Sequence, residues 1–190
     1  MMMMMMILVV IVVALSSLDV ALSYDDYGGP SFSYNAMSMD GPENWGKLSP
    51  AYSACGEGKM QSPIDIVTAD AVPNPALDNL TRVYAPTAAT LLNSGKAITM
   101  IFDHKDDGTS VFPGAITVTT LDNGGAPKKM LFGFKGIHWH IPSEHTINGQ
   151  RFPMELHLVH TSEEGHLAVI SIMYKIGEPD AFYDQIKEKL

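Results

Sequence analysis

The chain has 190 residues, 46% of them hydrophobic and 17% charged, with 21 acidic against 12 basic side chains and a formal net charge of -9. This composition is typical of one globular domain and excludes a disordered or fibrous protein. Because no run of Lys or Arg offers a surface for polyphosphate, the sequence also argues against a nucleic-acid partner.

The N-terminal segment predicts a signal peptide over residues 1–23. An apolar run from Met1 to Leu15 is followed by small and polar residues up to Ser23, although no Lys or Arg precedes the run. The run is shorter than the ~20 residues needed to cross a bilayer, so we expect a cleaved signal and no stable membrane span afterwards. Asn79, in the sequon Asn79-Leu80-Thr81, is a candidate glycosylation site on the same secretory route.

Residues 24–48 are rich in Gly, Ser, Pro and Asn. We expect an irregular arm here, packed on the rest of a single domain, residues 24–190, through Tyr34 and Trp45. Cys55 is the only cysteine in the chain. In an oxidising compartment a lone cysteine is either a free thiol or one whose partner is missing.

The chain beyond Ser62 predicts a mainly β domain. Short runs of β-favouring residues alternate with Gly, Pro, Asn and Asp, which is the pattern of an antiparallel sheet. These runs are ITMIF, AITVTTL, GIHWHI, MELHLVH and LAVISIMYKI. Only the tail AFYDQIKEKL, which follows Pro179-Asp180, predicts a helix, and that helix reaches the C-terminus without a cap.

Histidines on two of these strands predict a metal site. His138 and His140 alternate with apolar residues, so they share one face of the sheet. On the second strand, Glu155 and His157 share a face and His160 lies on the other. If the two strands are neighbours, three imidazoles meet, and three neutral imidazoles with an open fourth position describe catalytic zinc. A carboxylate at Glu155 would accept the spare ring N–H of His157 and fix its tautomer.

The other histidines are assigned different roles. A His-x-His pair on a strand is common by chance, so the metal hypothesis depends on His157 and its neighbouring carboxylate. His104 and His166 lie in polar loops and are expected to be solvated. Residue type alone would also allow His145 and His160 to be ligands, but the opposite face of His160 favours a hydrogen-bonded core histidine.

The residues around this constellation resemble the α-carbonic anhydrases. HWHIPSEHTING followed by MELHLVH is similar in order and spacing to the zinc segment of that family. The likeness extends back through NSGK with ITMIF, KMQSPIDI and GPENWGKLSP, and it covers residues 34–174. The residues of these motifs are most similar to those of the plant-type members, which are secretory. The resemblance therefore implies an extracellular or cell-wall location, with the plastid stroma as an alternative.

What the resemblance implies for fold and chemistry is specific. The fold would be a central, antiparallel, twisted β-sheet with short peripheral helices, and the activity would be reversible hydration of carbon dioxide to bicarbonate with a Zn²⁺ cofactor. Glu155 would support a ligand, Glu144 would be the gatekeeping glutamate that accepts a proton from a threonine, and Val159 and Val169 would line the carbon dioxide pocket. The implied zinc ligands are His138, His140 and His157.

The sequence also departs from the family. Lys96 stands where fast members keep a proton-shuttling histidine, and an unperturbed lysine, with a pKa near ~10.4, is a poor relay at neutral pH. The family continues for several strands beyond Leu190. We therefore expect the C-terminal strands to be missing, together with the threonine partner of Glu144 and the cysteine that members pair with Cys55. The apolar strand 167–176 would then lose pairing partners at a sheet edge.

These departures leave alternatives open. The resemblance predicts a zinc-dependent carbonic anhydrase whose activity is impaired. A catalytically inactive binding or storage protein is one alternative, since tuber storage proteins resemble this family; some of them have lost a zinc histidine, whereas this chain has all three. An inert fragment is the other alternative.

Overall fold

The computed structural model describes residues 8–13, 31–59, 61–77, 79–93, 97–102, 113–121, 124–178 and 181–187. The chain divides into two compact units, one formed by residues 1–14 with 63–190 and the other by residues 15–62. No helix in the described ranges is long and apolar enough to cross a membrane.

The larger unit is built almost entirely of strands, which confirms the mainly β prediction. One short helix, α3 (Ala181–Ile186), begins where the sequence predicted it, directly after Pro179-Asp180. The strands in chain order are β1 (Leu8–Val13), β2 (Asp65–Ile66), β3 (Thr81–Tyr84), β4 (Ala89–Asn93), β5 (Ile98–Phe102), β6 (Gly114–Leu121), β7 (Pro127–His140), β8 (Thr146–Ile147), β9 (Gln150–Arg151), β10 (Met154–Thr161) and β11 (Leu167–Tyr174).

The main sheet is antiparallel and has the order β1-β11-β10-β7-β5-β4. Strand β7 is long enough to pair with β6 along its first half and with β5 along its second half, and β3 extends the sheet beyond β6. The second sheet is small and has the order β2-β8-β9. The long strand β7 therefore lies at the centre, with β10 directly beside it.

A β-bulge sets which side chains of β7 face the core. Gly136 lies opposite Val159, but Phe134 lies opposite His160, so Lys135 is an extra residue on β7. Because side chains alternate along a strand, one extra residue reverses the alternation. Apolar residues therefore face the core at even positions before the bulge and at odd positions after it. This reversal leaves the even-numbered histidines after the bulge on the opposite face.

The apolar face of the sheet carries the core. Aromatic and aliphatic side chains from β7, β10 and β11 pack there, and the ring of Phe182 in α3 stacks on Trp139 at a centroid distance of 6.3 Å. The largest buried cluster consists of Phe134, Ile137, Trp139, Met154, Leu156 and Tyr174. A second cluster consists of Ile116, Val118, Phe132, Ala168 and Ile170.

Strand 167–176 does not lie unpaired at a sheet edge while residues 8–13 are present. For residues 24–190 alone, without the predicted signal peptide, the unpaired edge stays a prediction. Strand β1 pairs antiparallel along β11, with Leu8 opposite Ile172 and Val13 opposite Leu167. The apolar N-terminal run thus satisfies backbone groups that an edge strand would leave free. Sequence reasoning missed the pairing because the same run is typical of a signal peptide.

The smaller unit contains an aromatic cluster. Phe32, Tyr34 and Trp45 meet edge to face with centroids 5.5–5.8 Å apart, and the indole N–H of Trp45 donates to the carbonyls of Ser33 and Asp40. Two one-turn helices, α1 (Trp45–Leu48) and α2 (Ala54–Glu57), follow. Each is too short to show helical periodicity in the sequence. The packing of this arm on the rest of the domain stays a prediction.

His160 is the hydrogen-bonded core histidine that strand alternation favoured. It is fully buried, and its Nε2 lies 3.0 Å from the hydroxyl of Tyr84. Burial lowers the pKa of His160 from 6.5 to about 4 and raises the pKa of Tyr84 to about 12. Both groups are therefore uncharged at neutral pH.

This buried imidazole should make the fold sensitive to acid. Below pH 6.5 the imidazole of His160 binds a proton in the unfolded chain but not in the folded chain. The contribution of His160 to the free energy of unfolding is therefore complete above pH 6.5 and is lost as the pH falls from 6.5 to 4. The expected loss in the free energy of unfolding is about 3 kcal/mol. Urea unfolding of the metal-free chain should show a shallower pH dependence for His160→Gln than for the wild type, whereas Tyr84→Phe, which keeps the buried imidazole, should retain the wild-type slope. Equal slopes for His160→Gln and the wild type would contradict this assignment.

Candidate metal centre

Adjacent strands bring the three predicted ligands together. On the face of β7 and β10 opposite the apolar core, His157 lies directly across from His138, and Glu155 lies directly across from His140. The condition that the sequence left open, that the two histidine strands are neighbours, is thus met. The imidazoles of His138 and His140 on β7 therefore lie beside the imidazole of His157 on β10.

The three imidazoles converge closely enough for one ion. Their ring centroids are 4.8–5.0 Å apart, and one ring nitrogen from each lies within 4.8 Å of the others. His157 Nδ1 lies 3.2 Å from His138 Nε2. Two ligands held 2.0–2.1 Å from a tetrahedral zinc ion are about 3.3 Å apart, so this separation has the spacing of two ligands of one metal.

The chemistry of the donor set also fits zinc. The Nε2 atom of His140 is buried and has no hydrogen-bond partner, which is costly unless a cation satisfies it. Burial lowers the pKa of His138 to about 3 and lowers that of His140. Both rings are therefore neutral at physiological pH, and the neutral imidazole is the form that binds a metal.

Glu155 is fully buried beneath these rings and accepts four hydrogen bonds. Its Oε1 accepts from His157 Nε2 at 2.7 Å and from His145 Nδ1 at 2.6 Å. Its Oε2 accepts from the backbone N–H groups of Glu144 at 2.7 Å and His145 at 2.9 Å. Burial alone would raise the pKa of Glu155, but these hydrogen bonds hold it well below its ordinary range. The side chain is therefore an ionised carboxylate.

The ionised carboxylate decides which nitrogen of His157 is available. A carboxylate can only accept, so the proton of His157 is on Nε2. The lone pair is then on Nδ1, the atom that lies 3.2 Å from His138 Nε2. Glu155 thereby turns the free nitrogen of His157 toward the other two rings.

His145 is the histidine whose role the sequence left undecided. It is buried, and its ring and backbone both donate to Glu155. Its ring, Glu155 and His157 also lie within metal-binding distance of one another. Both rings, however, donate to the same carboxylate oxygen at hydrogen-bond distances, which makes this group a support for the three-histidine site. No spacing rule links residue 145 to a strand position, so its contact with Glu155 could not be found from the sequence.

Glu144 lies beside two of the three histidines. Its Oε2 is 3.3 Å from His140 Nε2 and 3.9 Å from His157 Nδ1, and its side chain is 19% exposed. Val159 follows His157 on the same face of β10 and lies opposite Val169 of β11, and both valines are half-buried.

The remaining predicted residues are not members of the group of three histidines. Asn79 is exposed, as a glycosylation acceptor must be, and Cys55 is exposed with a free thiol. Lys96 and His104 lie outside the residues that the structure describes. His166, predicted to be solvated, is half-buried, and its backbone N–H donates to Ser162 Oγ.

The chain is similar to carbonic anhydrases along most of its length. Residues 40–190 match the family model described as eukaryotic-type carbonic anhydrase. Alpha carbonic anhydrase 2 of Arabidopsis thaliana is 43% identical over 159 residues, which cover 84% of this chain and 59% of that protein. The chain thus spans little more than half the length of such curated relatives.

Solved structures show the same likeness. An α-carbonic anhydrase of Thermovibrio ammonificans, in complex with sulfanilamide, superposes with a TM-score of 0.67 at 33% identity, covering 85% of this chain and 62% of that one. Dioscorin complexed with ascorbate superposes with a TM-score of 0.71 at 34% identity, covering 84% of this chain and 60% of that one.

Proposed function

The chain belongs to the eukaryotic-type carbonic anhydrase family, and on that premise we propose that it binds one zinc ion and hydrates carbon dioxide reversibly to bicarbonate and a proton. The observation that carries the proposal is the convergence of one ring nitrogen from each of three histidines, one of which is held by a buried carboxylate. Homology to zinc enzymes agrees with that donor set.

Each residue of the site has a defined part. The ligand atoms would be Nε2 of His138, Nε2 of His140 and Nδ1 of His157, because these atoms face one another or lack a partner. Zinc, when bound, supplies a Lewis acid that makes water nucleophilic near neutral pH, as is known for carbonic anhydrases. Glu155 keeps the proton on the far nitrogen of His157.

Carbon dioxide and bicarbonate would bind on the face of the sheet that carries the three histidines. We propose that Val159 and Val169, which pair across β10 and β11, offer apolar surface to carbon dioxide. Lys96, at the shuttle position, would release its proton slowly, because an unperturbed lysine has a pKa near ~10.4. The proposed activity is therefore slow beside that of members with a histidine there.

The proposal is tested by zinc content and hydration rate in the same sample. The full chain should retain one zinc ion and accelerate hydration, measured by stopped flow with a pH indicator, and a chelator should remove the acceleration. His138→Ala should abolish it, whereas His166→Ala, a histidine outside the site, should not. A zinc-loaded chain whose rate equals that of the chelated sample would overturn the proposed activity.

A binding or storage protein on the same fold is the second candidate. Its support is the similarity to dioscorin, whose solved structure holds ascorbate. Calorimetric titration with ascorbate separates the two. Binding of ascorbate by a chain that holds zinc without hydrating carbon dioxide would favour the second candidate.

We also propose that the chain enters the secretory pathway through residues 1–23. The exposure of Asn79 supports this route, since glycosylation needs an accessible sequon. A glycosidase-sensitive mass shift that disappears in Asn79→Gln would test it; a chain that keeps residues 1–23 in plant cells would refute it.

A further inference from the structure

We propose that the apolar face of the sheet carries a second ligand site, a cavity that binds a small, neutral aromatic molecule. Residues of β3, β5, β7, β10, β11 and α3, with a few residues next to β3 and β6, line the cavity. Its volume is about 310 Å³, near the lower end of the ~300–1,000 Å³ of typical small-molecule pockets. A ligand in this cavity would need neither zinc nor the hydration activity proposed above.

The cavity is separate from the metal centre, although the two share strands. Ile137 of β7 and Leu156 of β10 line the cavity. The next residues along these strands, His138 and His157, belong to the group of three histidines. Successive side chains of a strand point to opposite faces of a sheet. The sheet therefore lies between the cavity and the three imidazoles.

The chemistry of the cavity wall selects the ligand. None of the residues that line the cavity is charged, and apart from the aromatic residues and Thr87 they are aliphatic. A charged group that entered this wall would lose its hydration without gaining a partner, so the ligand is neutral. Aromatic rings favour edge-to-face and offset stacked contacts with other rings, so an aromatic ligand fits this wall best. The rings are those of Tyr84, Phe102, Phe134, Tyr174 and Phe182.

Contacts behind the wall hold three of these rings in place. The ring of Phe134 meets that of Tyr84 edge to face at a centroid distance of 5.4 Å and that of Phe102 at 5.0 Å. The hydroxyl of Tyr84 lies 3.0 Å from His160 Nε2. Gly114 lies opposite Tyr84 on β6, and a Cβ at Gly114 would collide with the Tyr84 ring. The wall is therefore formed before a ligand arrives, which lowers the entropic cost of binding.

The cavity has a buried floor and an exposed rim. Leu156 and Tyr174, on the floor, are 5% and 1% exposed. Ala85 and Thr87, which follow β3, also line the cavity and are exposed to solvent. A ligand can therefore enter past the rim without local unfolding, and most of its apolar surface leaves water when it reaches the floor.

Equilibrium dialysis of the full chain against naphthalene tests the site. Naphthalene should bind saturably with one molecule per chain, and its affinity should be the same in zinc-loaded and chelator-treated samples. Naphthalene-2-sulfonate has the same two rings and a negative charge. It should bind at least ~10-fold more weakly, because the cavity offers no partner for the charge.

A variant that fills the cavity is the second part of the test. Leu158→Trp places a larger side chain in the wall and should weaken naphthalene binding at least ~10-fold. The matched control is Leu131→Trp, because Leu131 is 66% exposed and does not line the cavity, and it should bind naphthalene like the wild type. Should Leu158→Trp lose its far-ultraviolet β signal, Ala85→Trp at the exposed rim replaces it, and the same weakening is expected.

The site is overturned if the wild type takes up no naphthalene saturably, or if the filled variant and Leu131→Trp bind naphthalene equally well. Equal affinity for naphthalene-2-sulfonate would overturn the assignment of a neutral ligand. Zinc content and hydration rate are measured separately, so failure of the cavity to bind naphthalene leaves the proposed zinc chemistry standing, and the reverse also holds.

Discussion

Replacing Glu155 with alanine is expected to lower the free energy of unfolding by about 3–5 kcal/mol, the cost of breaking a buried charged network. The carboxylate is fully buried and accepts two backbone N–H groups and two ring N–H groups. Its removal takes this acceptor away from four donors, three of them in buried hydrogen bonds, and a buried donor that loses its acceptor is costly. Urea unfolding of the metal-free chain measures the difference.

The matched control is Glu178→Ala, which removes an exposed carboxylate and should change stability by no more than about 0.5 kcal/mol. Glu155→Gln is more informative still, because it keeps one acceptor oxygen but places an NH₂ group opposite two donors. It should be destabilised nearly as much as the alanine variant. Wild-type stability in both Glu155 variants would show that the network does not hold the site together.

Replacing His157 with alanine should weaken zinc binding by a factor on the order of 10³. Three or four ligands share a binding free energy of about 10–16 kcal/mol in structural zinc sites, so one ligand contributes several kcal/mol. His157 also joins the metal site to Glu155, and its loss frees that carboxylate from one of its donors. Competition with a chromogenic chelator measures the affinity.

His166→Ala is the control for removing a histidine, because His166 lies in the turn before β11 and contacts Ser162, away from the three rings. Its zinc affinity should equal that of the wild type. A His157→Ala chain that holds zinc as tightly as the wild type would place the metal elsewhere.

Much of the candidate site could be predicted because strand alternation is a local rule. The shared face of His138 and His140, and that of Glu155 and His157, follow from a period of two. The pairing of the two histidine strands is not a local property, so it could be predicted only from the resemblance to a known family. The fold class followed from the spacing of the β-favouring runs.

The parts that could not be predicted depend on contacts between distant segments. The extra residue at Lys135 reverses the alternation of β7, and nothing in FGFKGIHWH marks where the reversal falls. The pairing of β1 with β11 joins the two ends of the chain. His145 donates to Glu155 from a loop, where no periodicity applies. The parts that strand alternation predicts thus lie on strands, and His145, whose role was missed, lies between them.

X-ray absorption at the zinc edge of the zinc-loaded full chain tests the central claim most directly. It reports the number of imidazole ligands and their distances without depending on turnover. The three-histidine site predicts nearest neighbours of nitrogen and oxygen at about 2.0–2.1 Å, with the multiple-scattering pattern of three imidazoles. A spectrum with one imidazole or none, or with six oxygen neighbours, would contradict it.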